Sequence, residues 1–147
     1  MTEQSDKVGS KLFAVPLGGT GDVTRDVIWT LNKSVPDVPS PALHEGVAYM
    51  VRDGGIFTSI DSKTGIVLKQ GRLEEALDKY YSSPVVVDGH IYCASQSGKV
   101  VVLKAGAQWE VEAVNDVGDE VYASPAPLDS GLLVRTKGAV YRFGVAR

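Results

Sequence analysis

The sequence predicts an all-β chain of β-propeller blades, about three four-stranded antiparallel sheets with the last completed by an amino-terminal strand. The first observation behind this is a repeat. Ser40-Pro41, Ser83-Pro84 and Ser124-Pro125 stand 43 and 41 residues apart, and each opens the same pattern. Counting from each proline, position +5 is Gly46, Gly89 and Ser130, and position +8 is Tyr49, Tyr92 and Leu133. A glycine then restarts each unit at Gly55, Gly98 and Gly138. The second observation is that turn signals cut each unit into short alternating strands. A period of about 40 residues with four short strands marks a blade, whose sheet cannot bury both faces alone and must stack on neighbours. The third is that the last unit is one strand short while an orphan strand precedes the first.

Taken in order, residues 1–10 are polar and read as a flexible tail. KLFAVPL, Lys11 to Leu17, reads as the closing strand, followed by the turn-rich GGTGD at 18–22 and a connector carrying Trp29, Pro36, Pro39 and Pro41. The first blade, residues 40–73, has strands near Ser40–His44, Val47–Val51, Ile56–Ile60 and Ile66–Gly71, with turns at Glu45-Gly46, Asp53-Gly54-Gly55 and Asp61 to Gly65. RLEEALDKYY then reads as a loop, because it is too short to hold a helix alone. The second blade, 83–115, repeats the plan with turns at Asp88-Gly89 and Ser97-Gly98. The third, 124–145, yields three strands near Ser124–Leu128, Leu132–Arg135 and Ala139–Phe143.

An unpaired sheet edge invites aggregation, so propellers often complete the last blade with a strand from the other terminus. KLFAVPL is the right kind of segment for that. Closed propellers use about four to eight blades, so three blades are expected to close as a homodimer with a six-blade ring, each amino-terminal strand finishing the partner's last sheet. The other expectation is that the chain is one part of a longer propeller.

Composition narrows the partners. The 147 residues are 44% hydrophobic with 16 Gly and 7 Pro dispersed through them, which is globular rather than low-complexity. A formal charge of -3 without a Lys/Arg cluster gives no footprint for nucleic acid. No run approaches the roughly 18 apolar residues of a membrane helix, and MTEQSDKVGSK lacks the apolar core of a signal peptide. Cys93 is the single cysteine, so neither an intrachain disulfide nor a cysteine-built metal site is expected.

Two strings resemble the pyrroloquinoline-quinone-like (PQQ-like) propeller repeat. One is Ser82 to Tyr92, SSPVVVDGHIY, followed by Gly98 and apolar strand residues; the other is GIFTSIDSKTG, Gly55 to Gly65, which resembles that family's Gly-x-φ-x-x-φ-Asp-x-x-Thr-Gly segment. The likeness covers about residues 36 to 145. It implies a propeller fold and a family spanning quinone-dependent alcohol and sugar dehydrogenases, an outer-membrane assembly lipoprotein and many bacterial proteins of unknown role; relatives are often exported. Family members usually place a tryptophan four residues after the Thr-Gly glycine, where it docks between blades. Here that position is Lys69, the second unit lacks the Asp-x-x-Thr-Gly turn, and Trp29 and Trp109 are expected to dock from other positions.

Most polar features read as structural. Asp61 and Thr64 form a side-chain-to-backbone turn before Gly65. His44 and His90 occupy positions +3 and +6, so they give no metal pair. Gly18 to Asp22 lacks the Gly-Lys-Ser/Thr ending of a phosphate loop, Asn32-Lys33-Ser34 is an incidental glycosylation pattern, and Glu74, Glu75 and Asp78 form a solvated loop face. The loop or channel candidates are Arg52, Asp53 and Arg135, which recur near the turn after the second strand of their units.

Two functions follow from these features. The favoured one is a non-enzymatic binding or scaffold module that recognises a protein or small ligand through loops or a central channel, with no cofactor, no metal and no catalytic residue. The alternative is a fragment of a quinone-dependent dehydrogenase, which needs a cation to polarise the quinone, a carboxylate base and stacking partners. Dehydrogenase relatives often stack the quinone on a disulfide of adjacent cysteines, which one Cys93 does not supply.

Overall fold

The computed structural model describes residues 9–144. Thirteen strands form four antiparallel sheets of two, four, four and three strands. The amino-terminal pair is β1 (Leu12–Ala14) and β2 (Trp29–Leu31). The first full blade is β3 (Ala42–His44), β4 (Val47–Arg52), β5 (Ile56–Asp61) and β6 (Val67–Arg72). The second is β7 (Val85–Val87), β8 (His90–Ala94), β9 (Lys99–Lys104) and β10 (Glu110–Asp116), and the third is β11 (Ala126–Leu128), β12 (Gly131–Arg135) and β13 (Val140–Gly144). Each blade is a simple meander whose strands pair in chain order. Among the described residues no helix is long and apolar enough to cross a membrane.

Alternation along the strands sends one apolar set to each face, and the sheets bury both by stacking in chain order. Tyr49, Val51 and Phe57 of the first blade meet Ile91, Cys93, Val101 and Leu103 of the second in the largest core. The other face of the second blade presents Ala94 and Val100 to Leu132 and Val134 of the third. Repeat-equivalent residues therefore do equivalent work. Tyr49 is only 1% exposed. Its counterpart Tyr92 is half-buried, beside a cleft between the second and third blades.

The serines of the Ser-Pro pairs link neighbouring blades. Ser40 donates its backbone N–H to Ser83 Oγ at 2.9 Å, and Ser83 donates its own to Ser124 Oγ at 2.8 Å. Each proline follows at the mouth of an innermost strand, where its missing N–H is least costly.

One expectation is corrected. Lys11 to Leu17 does not complete the third sheet: Leu12, Phe13 and Ala14 pair with Leu31, Thr30 and Trp29. The reason is local. Leu12 and Leu31 pack together on Ala48, Met50 and Ile60, the first blade's remaining apolar face, which would otherwise lie open. Closing a short loop is also easier than reaching across three sheets. The third sheet has three strands, and among the described residues nothing pairs with the outer edge of β13. Residues 1–8 and 145–147, parts of the expected tail and third blade, lie outside the described residues.

Both tryptophans sit between sheets. Trp29 donates Nε1–H to Ser62 O at 2.9 Å. Its ring lies over Gly65, where a Cβ would come within 2.6 Å of the indole, and the φ of +73° there also favours glycine. Trp109 meets Phe57 edge-on with centroids 5.0 Å apart and reaches Gly71. Its Nε1 is buried without a hydrogen-bond partner.

Candidate functional site

The segments joining the blades are hydrogen-bonded straps. After β6, a 3-10 turn at Glu74–Ala76 buries Ala76, while Leu73 and Tyr80 enter the main core. Tyr80 N–H donates to Asp53 Oδ1 and Gly54 N–H to Asp78 O, fixing the strap to the first blade. Ser97 N–H donates to Asp78 Oδ2 and Gln96 N–H to Lys79 O, fixing it to the second. The next strap repeats this: Gly138 N–H donates to Asp119 Oδ2 and Lys137 N–H to Glu120 O. Asp78 and Asp119, both six residues before a Ser-Pro proline, therefore hold equivalent turns. Asp78 was expected in a solvated loop face and instead acts as a clamp.

The acidity of these groups follows from those bonds. Burial opposes ionisation of Asp78, but hydrogen bonds from Ser97 outweigh it and hold the carboxyl below the usual aspartate range. Thr136 and the Gly138 N–H do the same for Asp119. Asp61 is lowered by the N–H and hydroxyl of Thr64, as expected of a structural turn. Burial pushes the Cys93 thiol up, which removes it as a nucleophile near neutral pH. Among the described residues no three His, Cys, Asp or Glu side chains are grouped to hold a metal.

This clamped rim carries exposed aromatic rings. Tyr81 and Tyr122, each three residues before a Ser-Pro proline, are 37% and 48% exposed and lie 5.3 Å apart, tilted by 42°. Gln96 Nε2 donates to Tyr122 Oη at 2.9 Å, which fixes the second ring. Val38, at the same repeat position before the first blade, is exposed as well. Sequence reasoning passed over this stripe, although Val38, Tyr81 and Tyr122 share one register.

The three residues singled out from sequence fall in different places. Arg52 ends β4 and is half-buried, on the strand face of Ala48 and Met50. Asp53 is occupied by Tyr80 N–H. Arg135 ends β12, exposed, and lines a small recess of about 210 Å³ with Tyr122, Ala123, Thr136 and Lys137. It shares the repeat position of Val51 and Ala94, one residue out of step with Arg52. Arg135 therefore joins the tyrosine rim, while Arg52 lies two blades away.

No protein-family model matches the chain, and no curated protein matches it. Among solved structures it is similar to BamB from Moraxella catarrhalis, with a TM-score of 0.73 and 13% identity. The likeness covers 94% of this chain and 41% of BamB, so the chain spans about two fifths of that protein's length. The chain has a β-propeller fold.

Proposed function

We propose that this chain is a non-enzymatic binding or scaffold module that recognises a protein or small ligand through its blade-joining rim. The observation that carries the reading is the Tyr81–Tyr122 pair, two rings left exposed at equivalent repeat positions while the straps beneath them are clamped. Aromatic side chains on a rigid support supply contact area at small entropic loss and dominate many recognition sites. Arg135 adds a cation at the same rim. The carboxylates with displaced acidity are all lowered, Asp61, Asp78 and Asp119 by turn hydrogen bonds and Asp116 first by the Lys99 ammonium on the neighbouring strand, as suits structural groups rather than a proton-transfer pair. The repeats fit the PQQ-like type, supported by Trp29 seated on the Asp-Ser-Lys-Thr-Gly turn.

The module works as part of a larger ring, completed by a second copy as a homodimer or by further blades of a longer propeller. The 41% coverage of BamB supports a partial ring. Exposed Phe13 and Val15 at one end, and Val140 at the other, give such neighbours apolar surface to cover. The test is a pull-down, with mass-spectrometric identification, comparing the native chain with a folded Tyr81→Ser, Tyr122→Ser variant. A partner held by the native chain and lost by the variant is expected. Equal recovery by both overturns the rim reading, and a stoichiometric absorbance change on adding pyrroloquinoline quinone and calcium overturns the non-enzymatic one.

A further inference from the structure

We propose that the hairpin turn Asp88-Gly89 is a self-modifying site: the Gly89 amide nitrogen closes on the Asp88 side chain to a succinimide, His90 promotes the step, and hydrolysis leaves a β-linked isoaspartyl residue at the foot of the second blade. No residue of the tyrosine rim takes part, so either reading can fail without the other.

An aspartyl carboxyl forms a five-membered imide with the next residue's amide nitrogen, and glycine leaves that nitrogen least hindered because it has no Cβ. The chain holds two Asp-Gly pairs, Asp53-Gly54 and Asp88-Gly89. The first is locked twice: Asp53 Oδ1 accepts Tyr80 N–H at 2.9 Å, and Gly54 N–H donates to Asp78 O at 2.8 Å. The second is the two-residue link between β7 and β8, whose flanking residues Val87 and His90 pair across the hairpin. Asp88 stands there at φ +48°. Among the described residues neither its carboxyl nor the Gly89 N–H is engaged in a hydrogen bond, and a Cβ at Gly89 would meet nothing within 4 Å. The equivalent turns of the other blades are less suited. Glu45-Gly46 would close a larger ring, and Ser130 after Asp129 carries a side chain.

His90 bends back over this turn. Its Nδ1 lies 2.9 Å from Asp88 O, and its Nε2 lies 3.1 Å from Glu112 Oε2, which steadies the ring. A carbonyl oxygen only accepts, so Nδ1–H donates to it. That carbonyl belongs to the peptide joining Asp88 to Gly89. As the Gly89 N–H gives its proton to solvent, negative charge spreads onto Asp88 O, and a donor already in place stabilises it. The nitrogen then bonds to Cγ of the protonated carboxyl, and the Cγ hydroxyl leaves, combining with the released proton as water. A water molecule next adds to the Asp88 main-chain carbonyl carbon and breaks its bond to nitrogen, so the chain afterwards runs through Cβ and Cγ. The added main-chain carbon lengthens a turn that the Val87–His90 pairing and the bond from Ala105 N–H to Gly89 O, 2.8 Å, both require to be short. Modification therefore loosens the turn from the β9–β10 loop, whose Ala105 borders the main core.

The test is incubation of the full chain near neutral pH over weeks, with digested samples followed by mass spectrometry using electron-transfer fragmentation, which tells isoaspartate from aspartate at each site. Isoaspartate is expected at Asp88 at least about tenfold faster than at Asp53, whose two hydrogen bonds must open first. In guanidinium chloride the two sites should react alike. A folded His90→Phe protein should react about fivefold more slowly at Asp88, the effect of losing one hydrogen bond. A substitution that merely loosened the turn would speed the reaction, so the direction of the change separates the two roles. No isoaspartate at Asp88, equal rates at the two sites in the folded chain, or an unchanged or raised rate in folded His90→Phe overturns the proposal, and the comparison of Asp88 with Asp53 in the native chain decides it even where His90→Phe fails to fold.

Discussion

Lys69 lays its ammonium 4.3 Å from the centre of the Trp109 ring and donates to that residue's carbonyl oxygen at 2.6 Å. At the position where PQQ-like repeats usually carry a tryptophan, this chain docks blade to blade with a cation instead, and the aromatic partner comes from the other sheet. A cation over an indole contributes about 0.5–2 kcal/mol, and a charged hydrogen bond about 1.5–3 kcal/mol. Lys69→Met keeps much of the stem and should lose about 1–3 kcal/mol in denaturant unfolding. An unchanged midpoint would show that the contact is ornamental.

Trp29 and Trp109 should respond differently to the same change. Trp29→Phe loses a hydrogen bond to Ser62 O, about 1 kcal/mol, besides ring area. Trp109→Phe loses ring area but also removes a buried donor with no partner, a group that costs about 1–3 kcal/mol when unsatisfied. The Trp109→Phe variant should therefore be the more stable of the two by thermal melting. The reverse order would mean that Nε1 of Trp109 is hydrogen-bonded in solution.

Gly98 and Gly89 separate backbone strain from crowding. Both have positive φ, +93° and +74°, but a Cβ at Gly98 would stand 2.4 Å from Asp119 O, whereas one at Gly89 meets nothing within 4 Å. Gly89→Ala should cost about 1–2 kcal/mol from conformation alone. Gly98→Ala should cost clearly more, since the strap must move. Equal losses would put the strap elsewhere.

Acid should loosen the straps. Asp78 and Asp119 are held below 3.8, the ordinary aspartate value, so they favour the folded state above that pH and lose this contribution as pH falls through their folded values. Stability is expected to be flat from neutral pH to about 5 and to drop below about 4. Asp78→Asn should be less stable at pH 7 and show a shallower acid limb. A limb of unchanged slope would be the contrary result.

Tyr49→Ala should cost about 3–5 kcal/mol, in the range of large-to-small core changes. Tyr92→Ala, at the same repeat position but half-buried, should cost less. Equal values in chemical denaturation would indicate that the cleft beside Tyr92 is covered in solution.

The three Ser-Pro pairs, the glycine restarts and the alternating strands were enough to read the blades from the chain, because two-residue periodicity and turn chemistry are local. The same register put Asp61 in a turn and set Tyr49 and Tyr92 at one position, but of these two, both expected to be buried, packing encloses Tyr49 and leaves Tyr92 half-buried. It also held the Val38, Tyr81, Tyr122 stripe, which passed unread because nothing in a sequence says which of two adjacent tyrosines, Tyr80 or Tyr81, turns inward. Only packing decided that Leu12–Ala14 pairs with Trp29–Leu31, since the competition was between two surfaces, and burying the open face of the first blade was nearer and cheaper in loop entropy. Stacking likewise decided that Arg135 lines a recess with Tyr122 while Arg52 lies apart, and that a Lys69–Trp109 pair stands where a tryptophan was expected. Such pairings join residues of different blades, and their distance in space depends on how the sheets pack together.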